Sequence, residues 1–499
     1  LSLHDALPIY RREVMKHLSI LHTFALGVAL VPCLSSCISD DSQEGNKPLS
    51  LISAAQTVED VYNVDNWDTL RIAAPAVTQE HATKPLSYQW EVNGKVVSNE
   101  KDLAYVCKNY GSFICRLKIS NEDATYYKQF RLNVQYSYRG GLYAVAASGD
   151  STQLSYIPLD GRQPESDVFA KNNPGQHLEG NPQALTVTKS LGKQDVFVSV
   201  GSPSRIYKLD GNTMSVLGYN EGTKTAAFLT GSRSGRSTSP NIGSIIYVVE
   251  NGTFSTISNS TRSVLLTNFN NQRMSRVIKD YSLAPQAVSW ARSADEYYNG
   301  TAFYDNNKGR FVVFAENERD DNKRFRTLYD TDFAGKRLIG MGMVDNYHEI
   351  AMLLKDTLTS SYYHVWINPG AYDANSKTRN YDPELKYIGA VPATAGVKDN
   401  SQVVGIPSTN LMYYSSGNAL YAYSVLSKGN FPTAPTLTCD SGEEISSLVV
   451  SQDDQYLYVA ANNPTTKTGN IYCFDLNQRA RVWKKSNVTG MIRQLALRF

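Results

Sequence analysis

Cysteine is scarce in this sequence, with six residues in 499, and histidine numbers only seven. Cys33 and Cys37 belong to an N-terminal leader, and Cys107, Cys115, Cys439 and Cys473 are too few for a disulfide scaffold in a chain this long. An excess of charge of one sign is also missing. Lys and Arg number 49 against 47 Asp and Glu, a formal net charge of +2, so there is none of the basic surplus on which nucleic-acid binding draws. Mean hydropathy is low at −0.35, which argues against a multi-span membrane protein. Long helix-forming runs of Ala, Glu, Leu and Lys are nearly absent. What the chain has in quantity is tyrosine, 32 residues, and glycine, 33. Strand-favouring aromatics with turn-forming glycine predict an all-β protein, and the length calls for two or more domains or one large repeat fold.

The usual chemical motifs are missing too. No His-Glu-x-x-His or Cys-x-x-Cys spacing offers a zinc site, and no P-loop or acidic Ca²⁺ loop occurs. Gly231-Ser232-Arg233-Ser234-Gly235 places Arg where a nucleophile elbow needs Ser. His81 and His177 fall in polar loops, His348 in a turn before a strand and His364 within a strand, the last two suiting structural histidines. Asp453-Asp454 sits in Ser-Gln-Asp-Asp-Gln-Tyr-Leu-Tyr-Val, a turn between strands, and Asp320-Asp321 and Glu443-Glu444 are read as turn residues in the same way. No catalytic residue, metal ligand or cofactor is assigned.

Met15-Lys16-His17 precedes an apolar run from Leu18 to Val31, followed by Leu34-Ser35-Ser36-Cys37. A basic start, a short apolar stretch and small residues before a cleavage point make a secretory signal over 15–36, too short for a comfortable membrane span. Its Leu-Ser-Ser-Cys ending resembles a bacterial lipobox, which implies that Cys37 carries the lipid and begins the mature chain. Cys33 follows Pro32 and departs from that pattern. The acidic, polar stretch after Cys37, through Asn46, cannot bury apolar surface, and residues 37–50 are read as a tether. Acidic residues just behind the lipidated Cys also resemble the surface-export signal of Bacteroidetes lipoproteins. Residues 1–14 resemble translated adapter sequence, so the native reading is expected to begin at Met15.

Residues 51–136 carry short alternating strands: Asp68–Ile72, Leu86–Val92 with an Asn93-Gly94 hairpin turn, Leu103–Cys107, Phe113–Ile119 and Tyr127–Val134. Trp90 on an aromatic strand, followed by Gly111-Ser112-Phe113-Ile114-Cys115, has the spacing of an immunoglobulin-like sandwich. These stretches resemble PKD-type domains. No early-strand Cys partners Cys115, and a tight turn at 108–111 would set Cys107 opposite Ser112, so free buried thiols are expected.

From 137 onward, hairpin-like strand pairs recur roughly every 50 residues, beginning near Leu142, Val196, Ile245, Thr301, Glu349, Leu411 and Tyr456. The last unit shows four strands: Ile445–Val450, Tyr456–Ala460, Asn470–Leu476 and Ala480–Trp483. Four strands at this period predict a seven-bladed β-propeller over 137–499. The C-terminal strand Met491–Leu497 has no blade of its own and is expected to close the ring as the inner strand of the first. Tyr136–Gly141 reads as a linker, which predicts that the two domains behave nearly independently.

A sandwich joined to a propeller behind a lipobox leader resembles the PKD-like family lipoproteins of Bacteroidetes. The resemblance implies a lipid-anchored outer-membrane protein facing the cell exterior, capturing a glycan or peptide beside an outer-membrane transporter for nutrient uptake. It carries no catalytic residues. A propeller-channel enzyme of lyase or hydrolase type, and a protein-binding adhesin or assembly component, remain as alternatives. For the ligand, Arg233 and Arg236 in the Gly/Ser-rich segment 230–238, with Asn270, Asn271 and Arg273 on the next connection, are expected on loops that run from an outer strand to the next inner strand. Arg and Asn on such loops suit hydroxyl or carboxylate groups. Trp290, Tyr297 and Tyr298 form a second candidate set, expected on the opposite face.

Overall fold

The computed structural model describes residues 48–190, 193–222, 225–231, 245–258, 264–267, 269–290, 300–315, 320–345, 349–370 and 382–498. The leader, Cys37 and most of the tether lie outside them. In the N-terminal unit, Val61–Asp65, Thr125–Gln135, Gly111–Ser120, Ser87–Val92 and Lys95–Ser98 form one five-stranded sheet, in that order. Thr69–Ile72 pairs with Leu103–Val106 in a smaller sheet. Alternation along Thr125–Gln135 turns Phe130, Leu132 and Val134 inward, where they meet Trp90, Leu117 and Ile119. Leu70, Ile72 and Leu103 of the small sheet close the same core, so two β layers share it. Asn93 and Gly94 both have positive φ, 47° and 75°, as the hairpin turn requires. One expected pairing is corrected: Leu103–Val106 and Gly111–Ser120 belong to different sheets, so 107–110 crosses between layers and makes no hairpin. Cys107 and Cys115 are both free and buried in the shared core.

The rest of the described chain forms seven four-stranded antiparallel sheets. The expected hairpin starts fall on the second strand of each sheet: Gly141–Ser148, Lys193–Gly201, Ile245–Glu250, Gly300–Asp305, Ile350–Asp356, Leu411–Ser416 and Tyr456–Asn463. Alternate residues of one strand pack in opposite directions. Ile246 and Val248 enter the core shared with the preceding sheet, while Tyr247 and Val249 enter the core shared with the next. Burial on both faces is why these strands read as unbroken apolar runs. Innermost are Asn181–Ser190, Ala226–Gly231, Leu283–Trp290, Lys336–Met343, Val403–Ile406, Glu444–Val450 and Met491–Arg498, and each touches the next around a closed ring. This is a β-propeller. Met491–Arg498 pairs along Gly141–Ser148 as the innermost strand of the first sheet, so the last segment of the chain closes the ring.

Neighbouring innermost strands run side by side in the same sense. A Cβ on Gly405 would lie 1.8 Å from the Met343 carbonyl oxygen, which leaves glycine as the residue that fits. Polar side chains join these strands through the backbone groups that their sheets leave free. Gln494 Oε1 accepts from Leu185 N–H at 3.0 Å, and Ser447 Oγ from Leu495 N–H at 3.0 Å. Gln286 donates to Ile339 O at 3.2 Å and accepts from Met341 N–H at 3.3 Å. All the innermost strands except Val403–Ile406 also carry an irregularity in pairing at the same end, with Gln183, Ala227, Ile339, Ser446 and Arg493 each standing as an extra residue.

The linker is not free. Asp65 of the N-terminal unit pairs with both Arg139 and Arg162, and Asp160 pairs with the same two arginines, at 3.5 and 2.9 Å. Ser137 Oγ donates to Asn66 O at 3.2 Å, Arg162 donates to Ser137 O at 3.0 Å, and the Tyr110 and Tyr136 rings stack at 4.0 Å. The expectation of near-independent domains is corrected by this junction, which buries the Asp65 side chain to 14% exposure. It lies at the end of the channel where the innermost strands finish, here called the lower end.

Candidate functional site

A cleft of about 230 Å³ opens at the upper end, where the innermost strands of the sixth, seventh and first sheets begin. Its polar lining is Asn400, Gln402, Glu444, Ser446, Asn462 and Arg493, with Pro464 and Met491 beside them. Each side chain is placed by the local backbone. The segment before Val403 is pinned by Ser401 Oγ donating to Ser415 O at 2.6 Å and by Gln402 N–H donating to Ser415 Oγ at 2.8 Å. Gln402 Nε2 then donates to Asn400 O at 3.0 Å, and Asn400 Nδ2 to Glu444 Oε1. Asn462 is buried and takes both backbone groups of Ile492, donating at 2.8 Å and accepting at 2.8 Å, which fixes the turn of chain that carries Arg493.

Ser446 and Arg493 are the extra residues in their strands, so the irregularity aims both away from the regular alternation. Ser446 Oγ is buried and has no hydrogen-bond partner. Arg493 is exposed and makes no ion pair among the described residues. The cleft therefore combines amide and hydroxyl groups with one carboxylate and one guanidinium that do not neutralise each other directly. Such a surface can hold a ligand rich in hydroxyl groups through many directional hydrogen bonds.

Glu443, next to Glu444, has a different task. It is buried and accepts from Asn470 at 2.6 Å, Tyr472 at 2.6 Å and Lys484 at 3.0 Å. Burial, with the Glu443 carboxylate at its hydroxyl, pushes the Tyr472 phenol up to about 12. Glu443–Glu444 is thus no simple turn: one carboxylate braces the seventh sheet and the other lines the cleft. Asp453 and Asp454 are turn residues, accepting from Ser451 Oγ at 2.6 Å and Ser408 N–H at 3.0 Å. Asp320 caps a short helix by accepting from Asn322 N–H. His364 is fully buried between the fifth and sixth sheets, with Nδ1 3.2 Å from the Tyr423 hydroxyl. His81 and His177 are exposed.

The ligand residues expected from sequence do not line this cleft. Arg233, Arg236, Tyr297, Tyr298 and His348 lie outside the described residues, as do the side chains of Asn270 and Trp290. Two positional expectations are corrected by connectivity. Residues 232–244 join the innermost strand Ala226–Gly231 to the second strand, and 291–299 do the same after Leu283–Trp290. Both segments therefore leave the same, lower end, and neither is an outer-to-inner loop. Asn270, Asn271 and Arg273 do fall between an outer and an inner strand, but in a helix, Phe269–Val277, whose Met274 packs into the core between the third and fourth sheets. Asn271 Oδ1 accepts from Tyr281, and Arg273 pairs with Asp321 at 3.4 Å. Their hydrogen-bonding capacity is spent on the outer rim. Among the described residues no group of three or more His, Cys, Asp or Glu could hold a metal ion, and no helix is long and apolar enough to cross a membrane.

No family model matches the chain, and no curated protein matches it significantly. Among solved structures, a quinoprotein alcohol dehydrogenase-like protein from Bacteroides thetaiotaomicron VPI-5482 superposes with a TM-score of 0.49 at 16% identity, covering 89% of this chain and 99% of its own. A 6-phosphogluconolactonase-like protein from Bacteroides uniformis ATCC 8492 gives 0.45 at 12% identity, covering 72% and 100%. The Dos1 propeller gives 0.40 at 11% identity, covering 71% and 85%. At these scores the likenesses carry no argument about activity, and the β-propeller rests on the sheet order and the closed ring of innermost strands.

Proposed function

We propose that this chain is a lipid-anchored outer-membrane protein, held through Cys37 and facing the cell exterior, whose seven-bladed propeller captures a glycan without transforming it. The N-terminal unit is then a PKD-like sandwich serving as spacer, and an outer-membrane transporter is the natural recipient of the captured ligand. The observation that supports the reading is the polar cleft at the upper end of the channel. Its amides and hydroxyl offer donors and acceptors in directions that suit sugar hydroxyl groups. Glycoside hydrolysis uses a pair of carboxyl groups flanking the scissile bond. The cleft lining supplies one, Glu444, already engaged by Asn400.

Soluble protein beginning at residue 38 should retain glycans from a mixed glycan and peptide array and return them unaltered after long incubation. Gln402→Ala should weaken that retention. Release of shortened glycans would replace capture with catalysis, and retention of peptides alone would replace the ligand class. Anchoring is tested separately: fatty-acid labelling in a bacterial host should be lost in Cys37→Ala and kept in Cys33→Ala.

A further inference from the structure

Three features of the cleft agree on more than its taste for hydroxyl groups. Arg493 lines it with an exposed guanidinium that has no carboxylate partner among the described residues. Ser446 lines it with a buried hydroxyl that has no hydrogen-bond partner. Both are the extra residues of irregular pairings, in the innermost strands of the seventh and first sheets, which are neighbours in the ring. An irregularity of this kind re-aims a side chain at some cost to the ladder. Here two adjacent ones deliver a donor fork and a hydroxyl to the same space.

On the other side of the cleft, Glu444 is held by Asn400, and Gln402 is tied to the Asn400 backbone. A carboxylate there takes donated hydroxyl protons and repels anions, so the two sides make different demands. One side wants an anion with two oxygens in a plane, since the guanidinium presents parallel N–H donors. The other wants hydroxyl donors. We propose that the ligand is an acidic glycan, with the carboxylate of a uronosyl residue on Arg493 and Ser446 and its ring hydroxyls toward Glu444 and Asn400. This rests on the reading of the cleft as a glycan site. A peptide would place an ammonium on Glu444, but that carboxylate already accepts the Asn400 amide, and the polar lining favours sugar.

The test is calorimetric titration of protein beginning at residue 38 with tetrameric oligouronates, with the same oligomers after reduction of their carboxyl groups, and with tetra-alanine. The oligouronate should bind at least about tenfold more tightly than its reduced counterpart, the scale of one charge-assisted contact. Arg493→Gln should remove that preference and leave binding of the reduced oligomer unchanged, and Arg493→Lys should restore part of it. Arg493 is exposed, so an unchanged melting temperature shows that the variant is folded. Equal affinity for both oligomers, or an oligouronate affinity untouched by Arg493→Gln, would overturn the acidic ligand while the glycan reading stands. Binding of tetra-alanine without either oligomer would overturn both.

Discussion

Asp65 accepts a hydrogen bond from Arg162, joining the N-terminal unit to the first sheet of the propeller across 97 positions of sequence. Arg139 shares the same carboxylate, and Asp160 faces both arginines from the far side. Removing Asp65 would leave two guanidinium groups with one carboxylate between them. Asp65→Ala should therefore lower stability by about 1–3 kcal/mol, the range for hydrogen bonds to charged groups. Calorimetry should show one concerted transition for the wild type and two for the variant, with faster proteolysis at 136–141. Two transitions already in the wild type would show that the junction does not couple the units.

His364 sets an acid limit on the fold. Burial lowers its pKa from 6.5 to about 3. Between those values the unfolded chain binds a proton that the native chain does not, so stability falls as pH drops through the window and is complete above it. Urea midpoints measured at pH 7.5 and 4.5 should differ less in His364→Gln than in the wild type. An identical difference would assign the acid sensitivity to other groups.

Ring closure depends on the last strand. Deleting 490–498 would open the inner edge of Gly141–Ser148 and unlink the first sheet from its two neighbours. The expected outcome is aggregated protein without a cooperative transition, and an unchanged melting temperature would refute it. Gly490→Ala is the milder probe. Its Cβ would lie 1.9 Å from the Ala147 carbonyl oxygen, so a shift costing about 2–3 kcal/mol is expected in chemical denaturation.

Trp90 is 1% exposed, packs edge-on against Phe130 and donates through Nε1 to Glu100 O at 3.1 Å. Trp90→Ala should cost about 3–5 kcal/mol. Since the junction ties the two units together, that loss should appear in the melting of the whole chain, measured by propeller tyrosine near-UV signals. A propeller signal that melts as in the wild type would contradict the coupling.

The propeller was legible in sequence through its second strands, because burial on both faces makes stretches such as Val196–Val200 and Tyr456–Ala460 continuously apolar. The outer strands left no such mark: Leu178–Glu179, Leu266–Thr267 and Leu437–Thr438 are two residues each. The cleft was not legible. Asn400, Glu444 and Arg493 come from three sheets, and no local pattern connects them. What could have pointed to it is a polar residue interrupting an otherwise apolar innermost strand, as at Ser446 and Gln183, but an extra residue is visible only once the strands are paired. The Arg233 set failed for a topological reason, since hairpin periodicity does not say whether a polar segment follows an inner or an outer strand.

The junction also fixes which way the cleft looks. Ser50 is bonded to Asp123 at the far pole of the N-terminal unit, at 2.9 Å, and Thr125–Gln135 runs from that pole to the junction, a rise of roughly 35 Å. The junction sits at the lower end of the channel and the cleft at the upper. Entry point, spacer, ring and cleft are thus stacked in that order like sections of a mast. Rotation about the residues ahead of Leu49 swings the whole mast, and nothing beyond Asp65 bends it. Lengthening those residues would raise the cleft without turning it, whereas loosening the Asp65 cluster would turn it without raising it.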